Sequence, residues 1–295
     1  MVQTNSQTIA FVKRFHLSDL FKSSCFFKEK GVKLIDLFVF LMNLVFQQKN
    51  LYEFLRGLGN NVQFKKDTGY GFLNNPRFDW RRLLLGFGSA IVKFLKTLTS
   101  EKRVCALVID DSSYYRNRSK KVELLSCVRD HACNCYFKGF RKLTAGWTDG
   151  STFVPLAFAL LSSSKPENRL YEQGPDVPDN SPGMLRRKEA ICKGTDVVLA
   201  LLDQTLEFVQ EFQYVLFDSW FSWPKVIKGI KDREREVICM LKNMPTLFYT
   251  YQGKSYTLSN LYAKVAKLKK NPGYIASVVV DYYGITVRVV FGTCC

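Results

Sequence analysis

Hydrophobic positions in the first hundred residues recur at helical spacing. Leu34, Leu37, Phe38, Leu41, Leu44 and Val45, followed by Leu51, Phe54 and Leu55, predict helix across residues 34–58. Asn74-Asn75-Pro76 is a turn, after which Trp80, Leu83, Leu84, Phe87, Ile91, Phe94 and Leu95 resume the same spacing. Residues 1–100 therefore read as all-α. From Cys105 the pattern shortens to apolar runs rich in β-branched and aromatic residues. Strands are predicted at Cys105–Ile109, Gly139–Trp147 and Phe153–Leu161, with Asp149-Gly150 marking a tight hairpin turn between the last two. The polar stretch Ser162–Gly183 reads as a loop. A helix from Met184 to Phe212 then leads into the strand Tyr214–Phe217, which ends at Asp218. Pro224 opens a helix running to Asp232, and Val237–Leu241 is a further strand. Residues 101–243 thus follow the order βββαβαβ. Beyond them, Phe248-Tyr249, Tyr256, Ile275–Val280 and Ile285–Phe291 make residues 244–295 β-rich, interrupted by a helix-like Leu258–Lys269.

Composition narrows the classes open to such a chain. Its 295 residues suffice for two folded modules, and 47% hydrophobic with 23% charged residues is a globular balance for which disorder is not the default reading. Forty-three Lys and Arg against 26 Asp and Glu leave a formal charge of +17, a field that attracts polyanions, nucleic acid first among them. No membrane association is expected: the apolar stretch Leu34–Phe46 is too short to span and contains Asp36. Met1–Ala10 lacks the features of a secretion signal, which predicts a cytoplasmic protein. Nine cysteines without a regular framework fit a reducing compartment, most of them as thiols. Cys127, His131, Cys133 and Cys135 cluster, but a Cys-x-Cys lacks the paired spacing of zinc modules.

Functional groups in open sheets gather at strand ends. Val108-Ile109-Asp110-Asp111-Ser112 puts adjacent carboxylates at the end of one strand, and Leu216-Phe217-Asp218-Ser219-Trp220 puts another at the end of the fourth. Carboxylates brought together repel and raise each other's proton affinity unless a cation intervenes, and Mg2+ prefers oxygen ligands. An Asp at a strand end also caps the following helix, and spacing alone leaves both readings open. Because side chains alternate along a strand, at most one of Asp110 and Asp111 points into a shared site.

Three segments in order carry a resemblance: Ile109-Asp110-Asp111-Ser112 followed by Arg116-Asn117-Arg118-Ser119-Lys120-Lys121; Gly146-Trp147-Thr148-Asp149-Gly150; and Val215-Leu216-Phe217-Asp218-Ser219-Trp220-Phe221. With these segments the chain resembles insertion-sequence transposases of the DDE superfamily, the group with a β-rich insertion before its catalytic Glu. The resemblance implies an α/β fold: an RNase H-like mixed sheet with flanking helices, an all-α N-terminal region and a partial β-rich insertion at the C-terminus. It implies metal-dependent phosphodiester cleavage and strand transfer at element ends, with two Mg2+ ions, Mn2+ as a substitute, double-stranded DNA of terminal repeats and target as partner, and a homodimer on DNA at the nucleoid. In that family the first Asp is usually followed by Thr or Ser, which carries over to Asp111 as catalytic metal ligand; the second matches Asp218, and Asp110 is the fallback ligand. The third residue, a Glu within a Tyr, Arg, Glu, Lys signature, has no match here, since Asp232, Glu234, Glu236 and Asp281 are the acidic residues after Asp218 and none has that helical context. The expectation is therefore a chain truncated inside the insertion and inactive alone, with a non-catalytic DNA-binding derivative of a transposase as the alternative.

Arg116, Arg118, Lys120 and Lys121 follow the first catalytic strand closely enough to hold DNA phosphates, the alternative being a solvated hairpin. Arg186, Arg187, Lys188, Lys264, Lys267, Lys269 and Lys270 extend the same charge. Trp220, Tyr249, Tyr251 and Tyr256 offer rings for an unpaired base, although core packing is the simpler role for each. A helix-turn-helix around Lys65-Lys66-Asp67-Thr68 would read the terminal repeats.

Overall fold

In the computed structural model, residues 6–57, 64–130, 133–172, 174, 177–266 and 276–292 are described. They group into two compact units, one of residues 1–105 and 111–212, the other of residues 106–110 and 213–295.

The first unit opens with the expected helices: α1 (Ser6–Arg14), α2 (Leu17–Ser23), α3 (Leu34–Phe46), α4 (Leu51–Gly57), α5 (Lys66–Leu73) and α6 (Trp80–Leu98). The helical run from Leu34 breaks between α3 and α4, where Gln48 takes a left-handed backbone with φ 56°; residue 58 lies outside the described residues. Phe21, Phe26, Leu37, Phe72 and Phe78 form a buried cluster, with Phe26 stacked on Phe78 at 4.5 Å and edge-on to Trp80 at 4.8 Å. The carboxylate of Asp79 caps α6 by accepting from the Arg82 N–H at 2.9 Å.

After α6 come β1 (Ala106–Tyr115), β2 (Ser126–Asp130), β3 (Cys135–Thr148), β4 (Phe153–Leu161), α7 (Pro182–Ala190) and α8 (Gly194–Leu206). β3 and β4 form the expected hairpin: Gly150 turns with φ 88°, and Asp149 Oδ1 accepts from the N–H groups of Ser151 and Thr152 at 3.0 and 2.8 Å. α6 packs on β4 through Arg81, whose guanidinium donates to both Glu189 carboxylate oxygens at 2.7 Å and to the Phe158 carbonyl at 2.6 Å. The single helix expected from Met184 to Phe212 is two, because Lys193 is extended (ψ 135°) and ends the first before Gly194 starts the second.

β2 had no counterpart in the sequence pattern. Its buried positions are Ser126, Val128 and Asp130, so polar residues occupy the inward face and erase the hydrophobic alternation. Asp130 is satisfied there by the hydroxyls of Ser113, at 3.0 Å, and Tyr115. Cys133 and Cys135 are joined by a disulfide in the β2–β3 hairpin; His131 lies outside the described residues.

In the second unit, the first half of β1 pairs in parallel with β5 (Tyr214–Phe217), and β5 in parallel with β6 (Glu236–Cys239), with α9 (Pro224–Lys231) as the crossover. A separate antiparallel sheet has the order β10 (Ile285–Phe291), β9 (Ala276–Tyr282), β7 (Tyr249–Tyr251), β8 (Lys254–Tyr256), with α10 (Leu258–Val265) between β8 and β9 in the chain. The later residues of the helix expected to reach Lys269 lie outside the described residues. Tyr249 and Tyr282 are fully buried and stacked at 4.8 Å, so Tyr249 is a core residue. Strand by strand the order is β2-β3-β1-β5-β6, with β4 on β3: an antiparallel meander leading into parallel strands, which is the RNase H-like mixed α/β arrangement.

Candidate active site

The parallel register of β1 and β5 decides which carboxylates meet. Ala106 lies opposite Tyr214, Leu107 opposite Val215 and Val108 opposite Leu216. Continued to the strand ends, this register brings Asp110 level with Asp218. Residues level with each other on neighbouring strands project to the same face, so both side chains leave on one side at the carboxyl end of the sheet. Their proximity has an electrostatic consequence: partial burial raises the proton affinity of the Asp110 carboxyl above the ordinary aspartate range, and the Asp218 charge raises it further.

Asp218 has a second contact. Its Oδ1 accepts from the Trp220 N–H at 2.9 Å, capping the short 3-10 turn Ser219–Phe221. The cap reading of this residue therefore holds, and one carboxylate oxygen is left for other chemistry. That bond fixes the side chain where Asp110 is level with it.

Asp111, next along β1, projects to the opposite face. There its Oδ2 accepts from Arg141 on β3, whose Nε lies 2.7 Å away and whose Nη2 also donates to it. The ion pair is half-buried. The structure thus brings Asp110 and Asp218 together and engages Asp111 with an arginine. Arg141 had not been singled out in the sequence, where it is one cation in a basic strand segment, Lys138-Gly139-Phe140-Arg141-Lys142.

Arg116, Arg118, Lys120 and Lys121 are all exposed in the connection from β1 to β2, and none forms an ion pair with a described residue. Arg116 stacks its guanidinium over the Tyr114 ring at 4.5 Å, and the Asn117 side chain is pinned by the Lys138 N–H at 3.0 Å. Other basic candidates are used internally: Arg187 donates to Glu123 at 2.5 Å, and Arg186 pairs with Glu189 at 3.2 Å. Lys267, Lys269 and Lys270 lie outside the described residues. Among the described residues no cluster of three or more His, Cys, Asp or Glu side chains is arranged to hold a metal ion, and no helix is long and apolar enough to cross a membrane.

An RNase H-like sheet with paired carboxylates where β1 and β5 end defines a class, and comparison with known proteins gives the family. Residues 26–254 match the family described as DDE superfamily endonuclease, and the chain belongs to that family. No curated protein matches the sequence. Among solved structures, the Drosophila P element transposase strand transfer complex is similar at 10% identity and a TM-score of 0.34, over 90% of this chain and 57% of that one. The Mos1 strand transfer complex is similar at 14% identity and a TM-score of 0.23, over 74% of this chain and 63% of that one. The chain therefore spans less than two thirds of the length of each of these two structures.

Proposed function

We propose that the protein acts on DNA as a transposase, with Asp110 and Asp218 as the carboxylates that hold a divalent metal ion. The observation that carries this reading is the placement of the two side chains level with each other, on one face, at the ends of neighbouring parallel strands. The donor set suits Mg2+, with Mn2+ as a substitute: both groups are hard oxygen donors, and Mg2+ binds through one or two carboxylates while keeping several waters. A cation bound there would relieve the repulsion that raises the Asp110 proton affinity, and would supply charge neutralisation and an activated oxygen nucleophile at a phosphodiester. Asp218 is held for this role by the Trp220 N–H. Asp111, favoured by the family pattern, is the competing ligand, and its pairing with Arg141 supports a positioning role instead.

Double-stranded DNA is the proposed substrate and partner, held by its phosphates against Arg116, Arg118, Lys120 and Lys121, with two copies acting together on paired element ends. The proposed division of labour assigns DNA binding to residues 1–100, the reaction to residues 101–243 and an insertion to residues 244–295. A non-catalytic DNA-binding role is the second reading, supported by the absence of a third metal-binding side chain beside the pair among the described residues.

Mn2+ binding to the full chain, followed by electron paramagnetic resonance, tests the carboxylate assignment. Asp110→Asn and Asp218→Asn should each weaken binding by about tenfold or more, since loss of a ligand costs at least as much as loss of an outer-shell partner. Asp111→Asn should bind Mn2+ like the parent chain. Loss of binding in Asp111→Asn with retention in Asp110→Asn would move the site to Asp111. Nicking of plasmid DNA with Mn2+, abolished by the same two substitutions that remove the metal, separates the transposase reading from the binding-only one.

A further inference from the structure

One cation at the carboxyl end of the parallel strands lies outside the carboxylate pair. β5 and β6 run in register from Tyr214 opposite Glu236 to Phe217 opposite Cys239, and Met240 and Leu241 lead from the end of β6 to Lys242. Lys242 thus leaves the sheet at the same end as Asp110 and Asp218. Its ammonium sits 4.2 Å from the centre of the Trp220 ring and 5.3 Å from that of Trp223. Trp220 is the residue whose backbone N–H holds the Asp218 carboxylate. No described carboxylate pairs with Lys242.

A surface lysine ordinarily keeps its ammonium in water, because ordering the long side chain costs rotamer entropy. Two indole faces satisfy its charge but none of its three N–H donors. The result is a cation held by two indole rings with open hydrogen-bonding capacity, at the end of the sheet where Asp110 and Asp218 lie. Phosphodiester oxygens are anionic acceptors, which such a group would bind as a point charge. A lysine serving only to cover the indoles would need no particular relation to Asp218.

We propose that Lys242 is a positioning residue for the DNA strand: its ammonium binds a non-bridging phosphate oxygen of the strand lying at Asp110 and Asp218, and Trp220 and Trp223 hold it in place. This rests on the transposase reading of the same site and adds a DNA-contacting group to it.

Binding of the full chain to a fixed duplex, measured by fluorescence anisotropy over a series of KCl concentrations, tests the proposal. Loss of one phosphate contact in Lys242→Gln should weaken binding and make the slope of log K against log salt shallower by about 0.9, and Lys242→Arg should restore most of it. Trp223→Leu keeps the charge but removes part of the clamp, and should weaken binding in the same direction. Circular dichroism and thermal melting establish that each variant is folded. Parent-like binding by Lys242→Gln overturns the proposal. So does weakened binding by Lys242→Gln with parent-like binding by Trp223→Leu, which would make Lys242 an ordinary surface charge. Mn2+ binding by these variants is the independent readout: if even the parent binds no Mn2+, the carboxylate assignment fails whatever Lys242 does.

Discussion

At the scale of single residues, one peptide step decides the candidate site. Asp110 and Asp111 are adjacent and chemically identical, yet β1 sends one towards Asp218 and the other towards Arg141. The carboxylates and the strand were legible in the sequence, and so was the restriction that only one of the pair faces a shared site. Which one does so depends on the register of β1 against β5, fixed by residues more than a hundred positions away. Asp149 is a case where local chemistry was enough. Asp-Gly announced a turn, and the carboxylate accepts two N–H groups of its own hairpin and an Arg103 Nη1 at 2.6 Å. The Thr152 N–H, helped by the Ser151 N–H and Arg103, outweighs partial desolvation and holds this carboxyl below the ordinary aspartate value of about 3.8. A depressed carboxyl stabilises the fold above its unfolded-state pKa and loses that contribution as pH falls through the folded value. Melting temperatures from pH 6 to pH 2 should therefore show Asp149→Asn less stable than the parent at the upper end, with the difference closing below pH 3.8. A constant difference would mean that the charge contributes nothing.

At the scale of elements, the helix breaks at Gln48 and Lys193 are backbone turns, whereas β2 and the anchoring of α6 involve buried polar groups that hydrophobic periodicity does not register. β2 was invisible because Ser126 and Asp130 face inward, and their partners lie on other strands. α6 was predicted from its apolar stripe, but the residue that ties it to β4 and α7 is an arginine inside that stripe. Arg81 is 8% exposed and satisfies both oxygens of Glu189, the Phe158 carbonyl and, at 3.1 Å, Gln204. Removing Arg81 leaves the buried Glu189 carboxylate with Arg186 as its remaining ionic partner, a loss of up to about 3–5 kcal/mol. Arg81→Ala should be destabilised on that scale in urea unfolding, whereas the double substitution Arg81→Leu with Glu189→Leu should recover much of it. Equal loss in both variants would show that packing, rather than the under-paired carboxylate, sets the cost. The close pairing of β1 with β3 is similarly specified by an absence: a Cβ on Gly139 would sit 2.2 Å from the Tyr114 carbonyl oxygen, so the strand admits no side chain there.

For the whole molecule the question is whether a charge of +17 acts as a diffuse field or through particular contacts. Many cations are spoken for, as Arg81, Arg141, Arg186 and Arg187 each pair with a carboxylate. Arg116, Arg118, Lys120 and Lys121 instead stand exposed along one connection, anchored by the Asn117 side chain and the Tyr114 ring. A field responds to total charge, whereas counterion release responds to the number of phosphates touched, at about 0.9 in the log–log salt slope for each on duplex DNA. Replacing these four residues by Gln and, separately, the exposed Lys165, Lys193, Lys228 and Lys254 by Gln removes four positive charges each way. If the β1–β2 connection touches DNA, the first variant should lose about three to four units of salt slope while the second keeps the parent slope. Equal losses would make the surface a uniform attractor, with no phosphate contact particular to that connection.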